Sequence, residues 1–229
     1  MKYKQEYKIG SFNLDAQGKM KISHLVDYMV DTSIGHTKTI EKEKNTVIDL
    51  YWVILQWDIE FYGEIKYEDV LKVLTFTTGR YKYYAYRQWE ISNGHGTVAV
   101  AKSQWLGLSK KELKPVRLSK ELDSLYESET GYDPIERKFP RPKKEFSNKM
   151  AISPRKMDID GYQHVNNARY FDWLSEIIKG DVRRIRIYYK NQILYGEEID
   201  LQWEEESGKT YFQFLGRENE VKTYGIIYY

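Results

Sequence analysis

One feature limits this chain more than any other: part of its sequence occurs twice. Residues 14–31, LDAQGKMKISHLVDYMVD, align without a gap on residues 159–176, IDGYQHVNNARYFDWLSE. The offset (160 − 15 = 145) sets Asp15 on Asp160, Asp27 on Asp172 and Tyr28 on Trp173. Leu14 and Met20 meet Ile159 and Val165, so the apolar positions match as well. Strand-rich sequence follows both copies: IEFYGEIKYEDVLKV (59–73) resembles IYYKNQILYGEEIDL (187–201) at an offset of 187 − 59 = 128. The first copy therefore carries about 17 more residues between the two matched stretches, around GHTKTIEKEKNTVIDLY. A repeat this long implies two similar units, each with its own core, and 229 residues are enough for both.

Each copy reads as a short strand, a loop that ends in a helix, and then several long strands. In the first copy Leu25, Tyr28, Met29 and Thr32 fall on one face and predict a helix over 23–33. In the second, Tyr170, Trp173, Leu174, Ile177 and Ile178 predict one over 167–179, with Asn166 or Asn167 as N-cap and Gly180 as a stop. WVILQWDIEFY, DVLKVLTFTTGR, YYAYRQWEIS and TVAVAKSQWLGLS read as strands in the first copy, and RRIRIYYK, EEIDLQWEEE, TYFQFLGR and KTYGIIYY in the second. SNGHG, ESGK and RENE are turns. A polar, proline-bearing stretch between the copies is a linker, with one short helix near 119–128. The fold class that follows is α+β, two helices each wrapped by antiparallel sheet.

Composition removes several chemistries. The chain has no Cys, so disulfides, thiolate metal sites and a Cys nucleophile are excluded. Its four His are scattered, and no metal site is expected. Lys and Arg total 36 against 34 for Asp and Glu, a balance that does not favour nucleic acid. No apolar run reaches a membrane span, and the start lacks a signal peptide's apolar core, so a cytoplasmic location is expected. The 21 Tyr suit sheet surfaces and apolar clefts.

DIDGYQHVNNARYFDWLSEI (158–177) resembles the signature of acyl-acyl-carrier-protein thioesterases, the bacterial relatives of the plant enzymes that end fatty-acid synthesis. Residues 52–91 and NQILYGEEI (191–199) resemble the same family, so the likeness spans nearly the whole chain. It implies a tandem hotdog fold: an acyl-binding unit over 1–130, a linker over 131–148 and a catalytic unit over 149–229. It also implies hydrolysis of the fatty acyl-ACP thioester, with free fatty acid released and elongation ended. No cofactor is implied. The partner is the acidic acyl carrier protein with its phosphopantetheine arm; homodimer formation is left open.

The resemblance implies a site of Asp160 and His164, with Tyr162 where the family has Asn and Gln192 where it has Glu. Gln cannot serve as a general base, because its amide does not take up a proton near neutral pH. His164 is suited to deprotonating water; Asp160 is suited to orienting the imidazole, to acting as base, or to forming an acyl intermediate. Asp160 is as readily a loop-capping Asx residue. Backbone amides near Asn166 and Asn167, where the second helix begins, suit a developing oxyanion, and both Asn also suit loop support. Lys19 occupies the position of His164 in the first copy, so one site per chain is expected. Leu25, Met29, Trp52, Ile54 and Trp57 would line the acyl groove and are equally ordinary core residues. Arg137, Lys138, Arg141, Lys143, Lys144, Arg183, Arg184 and Arg186 would dock the carrier, or form a solvated surface. An acyl-CoA thioesterase and a non-catalytic acyl-carrier binding protein are the alternatives.

Overall fold

A computed structural model describes residues 1–139, 141–142 and 145–229. The chain divides into two compact units, Met1–Leu55 with Ile59–Arg137, and Gln56–Asp58 with Lys138–Tyr229.

The first unit contains β1 (Tyr3–Lys8), α1 (Ile22–Glu43), β2 (Leu50–Phe61), β3 (Val70–Tyr81), β4 (Tyr84–Asn93), β5 (Gly96–Ser109) and the short α2 (Glu121–Leu125). Its strands lie in the order β1-β3-β4-β5-β2. The second unit contains β6 (Asn148–Ile152), α3 (Arg169–Ser175), β7 (Arg184–Tyr189), β8 (Ile199–Glu206), β9 (Lys209–Leu215) and β10 (Val221–Tyr228). Its order is β6-β8-β9-β10-β7, the same order strand for strand. The repeat in sequence is thus a repeat in topology.

The helices depart from the periodicity. α1 runs to Glu43, ten residues past the predicted end at Ser33. The extra residues of the first copy largely extend this helix, because His36 and Ile40 continue its buried face. α3 is shorter than predicted and covers Arg169–Ser175 alone. Its last turns tighten: the Glu176 and Ile177 amides donate to Trp173 and Leu174, three residues back. The second unit therefore has a short helix where the sequence suggested a long one. Each helix packs on strands of its own unit. Trp89 Nε1 of β4 donates to the Met29 carbonyl of α1 at 2.9 Å. Tyr170 of α3 meets Phe214 of β9 and Tyr189 of β7 edge-on. Such aromatic burial supplies several kcal/mol on the order of 1.5–3 per large side chain.

Candidate active site

The repeated loop is where the two units can be compared atom by atom. In the first unit the Asp15 amide donates to the Lys19 carbonyl at 2.8 Å, and Asp15 Oδ1 accepts the Gln17 and Lys19 amides at 2.9 Å. Gly18 sits at φ 75. In the second the Asp160 amide donates to the His164 carbonyl at 2.9 Å, and Asp160 Oδ1 accepts the Tyr162 amide at 2.8 Å. Gln163 takes the left-handed position at φ 67, a conformation that strains a residue with a Cβ. A matching bridge closes each loop, Leu14 to Met20 and Ile159 to Val165. The Asx role of Asp160 is therefore real, and it uses only Oδ1.

Oδ2 of Asp160 faces the imidazole, 3.2 Å from His164 Nδ1. The two side chains are 21% and 24% exposed, so the pair is partly open to solvent. His164 Nδ1 also lies 3.4 Å from the Val165 carbonyl. Two acceptors at Nδ1 place the imidazole proton there and leave Nε2 with the free lone pair. The Tyr162 ring runs nearly parallel to the His164 imidazole, with centroids 6.0 Å apart, and is 62% exposed.

The loop is fixed from behind. Val165 donates to the Ile193 carbonyl at 2.8 Å, and His164 bridges to Leu194. Gln192 precedes this paired segment and is exposed. Glu197 accepts the Leu194 amide and holds Lys222 at 3.1 Å, so this carboxylate is committed to structure. Asp158, a residue that sequence reasoning did not single out, is 1% exposed. It accepts the Arg155 amide and guanidinium, while its own carbonyl accepts the Asn166 amide. Burial pushes the Asp158 carboxyl up, but the Arg155 bonds outweigh it and leave the group below its usual value. Asn13 stands at the matching place in the first copy and accepts the Gly10 amide, which was the available signal.

Of the amides proposed for an oxyanion, Asn166 donates to Asp158 and Ala168 to Asn166 Oδ1. Asn166 thus ties the turn before α3 and is not the helix N-cap expected of it or of Asn167, a place that Ala168 takes; its own amide and that of Ala168 are spoken for. The Asn167 carbonyl accepts the Tyr189 hydroxyl at 2.9 Å, and its amide makes no hydrogen bond among the described residues.

The residues expected to line an acyl groove, Leu25, Met29, Ile54 and Trp57, are all buried, with Trp52 half-buried. Among the predicted docking cations, Arg137, Lys138, Arg141 and Arg183 are exposed. Arg137 stacks on Tyr81 at 3.8 Å, and Arg141 Nε donates to Gln213 at 3.0 Å. Arg184 and Arg186 do not form an open basic surface. Both pair with the buried Asp58, Arg184 through two bonds, and Arg186 also lies over Phe139 at 4.5 Å. Lys143 and Lys144 lie outside the described residues. Among the described residues no group of three acidic, His or Cys ligands could hold a metal, and no helix is long and apolar enough to cross a membrane.

Comparison with known proteins gives these features a family. The sequence model of the acyl-ACP thioesterase N-terminal domain matches residues 1–126, and that of the C-terminal domain matches residues 141–227. A chloroplastic acyl-[acyl-carrier-protein] hydrolase from Cuphea viscosissima is 25% identical over 191 residues, covering 76% of this chain and 46% of its own length. The chain thus spans about half the length of the curated relatives it matches. An acyl-ACP thioesterase structure from Bacteroides thetaiotaomicron superposes with a TM-score of 0.83 at 17% identity, over 99% of this chain and 97% of the other. The 12:0-ACP thioesterase of Umbellularia californica gives 0.82 at 13% identity, over 99% and 96%. These likenesses establish the tandem hotdog α+β fold, and with both halves matched by its domain models the chain belongs to the acyl-ACP thioesterase family.

Proposed function

We propose that this chain hydrolyses the thioester of fatty acyl-ACP, releasing free fatty acid and so ending elongation. The observation that carries the reading is the pair of Asp160 and His164, 3.2 Å apart on a loop whose copy in the first unit has Lys19 instead. In this reading His164 Nε2 removes a proton from water as its oxygen attacks the thioester carbonyl carbon. Asp160 stabilises the imidazolium and keeps the ring oriented. The Asn167 amide is the donor available to the developing oxyanion. Collapse of the tetrahedral intermediate breaks the C–S bond. The imidazolium returns its proton to the departing pantetheine sulfur, so the products are the fatty acid and the free carrier thiol. Gln192 supplies no base, and the chemistry rests on the dyad and water.

In this reading Leu25 and Met29 of the first unit line the acyl groove. The carrier docks through exposed cations, Arg137, Lys138 and Arg183 among them. The chain works in the compartment that holds its carrier protein, which we take to be the cytoplasm. Tyr162 and Gln192 favour one other reading, a protein that binds acyl carriers without turning them over. Release of free fatty acid from acyl-ACP and acyl-CoA of several lengths separates the two. The enzyme reading expects turnover, faster with the carrier protein. Tight binding with no release on either would overturn it.

A further inference from the structure

The first unit buries two polar groups that hydrolysis does not use. His36 on α1 is 0% exposed and Arg87 on β4 is 7% exposed. Arg87 Nη1 donates to His36 Nδ1 at 3.0 Å and to Thr75 Oγ1 at 3.2 Å. Because Nδ1 accepts, the imidazole proton lies on Nε2. That atom is buried and has no hydrogen-bond partner among the described residues. The guanidinium spends only Nη1 on its neighbours, so the N–H groups of Nε and Nη2 remain uncommitted among the described residues.

The surroundings are aromatic. Tyr3 stacks on the imidazole at 5.6 Å, and Tyr126 meets it edge-on at 5.5 Å. The Tyr126 ring also faces the guanidinium at 5.6 Å, and its hydroxyl is engaged with Thr37. No carboxylate pairs with Arg87 among the described residues, although a buried guanidinium is costly when no anion compensates its charge. Every uncommitted group here is a donor, so the missing complement is an oxygen acceptor.

Its place along the helix says where that oxygen would come from. His36 shares the buried face of α1 with Leu25 and Met29. It lies seven residues beyond Met29, about 10 Å along the axis. A chain lying against Leu25 and Met29 meets His36 and Arg87 farther on.

We propose that the first unit selects acyl chains that carry an oxygen function, a hydroxyl, oxo or terminal carboxylate group, which docks on His36 Nε2–H and the Arg87 guanidinium. This rests on the reading of the chain as an acyl-ACP thioesterase. A plain methylene at that place would leave the donors unpaired, whereas an oxygen takes charge-assisted hydrogen bonds.

The test uses one matched series of equal length: unsubstituted, mid-chain hydroxy, mid-chain oxo, ω-hydroxy and ω-carboxy. Two quantities are read, kcat/KM on the acyl-ACPs and calorimetric affinity for the free acids. At least one oxygenated chain should exceed the unsubstituted one by about tenfold or more in both. The double variant Arg87→Met with His36→Leu should erase that ratio. Should it fail to fold, Arg87→Lys keeps the charge, loses the fork, and should narrow the ratio. Turnover without any preference for oxygen, with the ratio unmoved in the variants, would overturn the proposal and leave a hydrated structural cluster. Preference in binding without turnover would uphold the proposal and overturn the thioesterase reading instead.

Discussion

Asp160 performs two tasks with two oxygens, and one substitution separates them. Asp160→Asn keeps Oδ1 as acceptor for the Tyr162 amide and removes the charge facing His164. In the proposed mechanism the charge matters when the imidazole takes the proton from water. Two unit charges 3.2 Å apart attract by about 1 kcal/mol in water and about 5 kcal/mol at an effective dielectric of ~20. With both side chains about one-fifth to one-quarter exposed, the true value lies between these limits. The corresponding loss in kcat is about tenfold to several thousandfold. Loop stability should change by less than about 1 kcal/mol, because the Asx bond survives. Asp15→Asn is the internal control. Asp15 caps the same loop in the first unit, where Lys19 stands at the position of His164. Steady-state release of fatty acid, with urea unfolding of each variant, measures both effects. The reasoning fails if Asp160→Asn keeps full activity, or if Asp15→Asn loses as much.

Three further outcomes follow from the same structure. Burial, helped by Arg87 and the chain's amino terminus, pushes the His36 pKa down to about 3. The folded state then stays neutral while the unfolded state takes a proton below pH ~6.5, so stability is full above that value and falls toward pH 3. The loss at pH 5 should be about 2 kcal/mol in urea titrations and absent in His36→Gln; an equal loss in the variant would contradict the burial of this ring. Asp58→Ala removes the carboxylate shared by Arg184 and Arg186 and should cost about 2 kcal/mol, less than a fully sealed pair because Arg184 is partly exposed; an unchanged melting curve would refute its structural role. Gln192→Glu should change kcat/KM by less than about tenfold, since the proposed mechanism rests on Asp160 and His164 alone. A larger gain would show that the chain lacks a base it needs.

Much of the fold is written locally, and the parts that were missed are not. The loop repeat could be read because Asp15 and Asp160 each cap backbone amides two residues ahead, a job that needs a short side-chain acceptor at one fixed position. Strands and turns follow from alternation and from short polar stretches, SNGHG, ESGK and RENE. Helix ends do not. GHTKTIEKE (35–43) looks too polar for a core helix, yet His36 and Ile40 alone suffice to continue the buried face of α1. Ile177 and Ile178 continue the apolar stripe of α3, but the backbone has already tightened into three-residue bonds. The His36–Arg87 bond joins residues 51 positions apart, and Arg184 meets Asp58 across 126, so neither pairing leaves a trace in local sequence. The same distance explains why Arg184 and Arg186 read as open basic sites when their charges were already met.

The central claim is that hydrolysis occurs at His164 with water as nucleophile. Its most direct test is the release of carrier thiol and fatty acid from one acyl-ACP by the native chain and by His164→Ala, run in heavy-oxygen water. The account predicts many turnovers, equal amounts of thiol and acid, one solvent oxygen in each acid released, and loss of nearly all activity in the variant with its fold intact. Undiminished release by His164→Ala, or no release by the native chain, would contradict it.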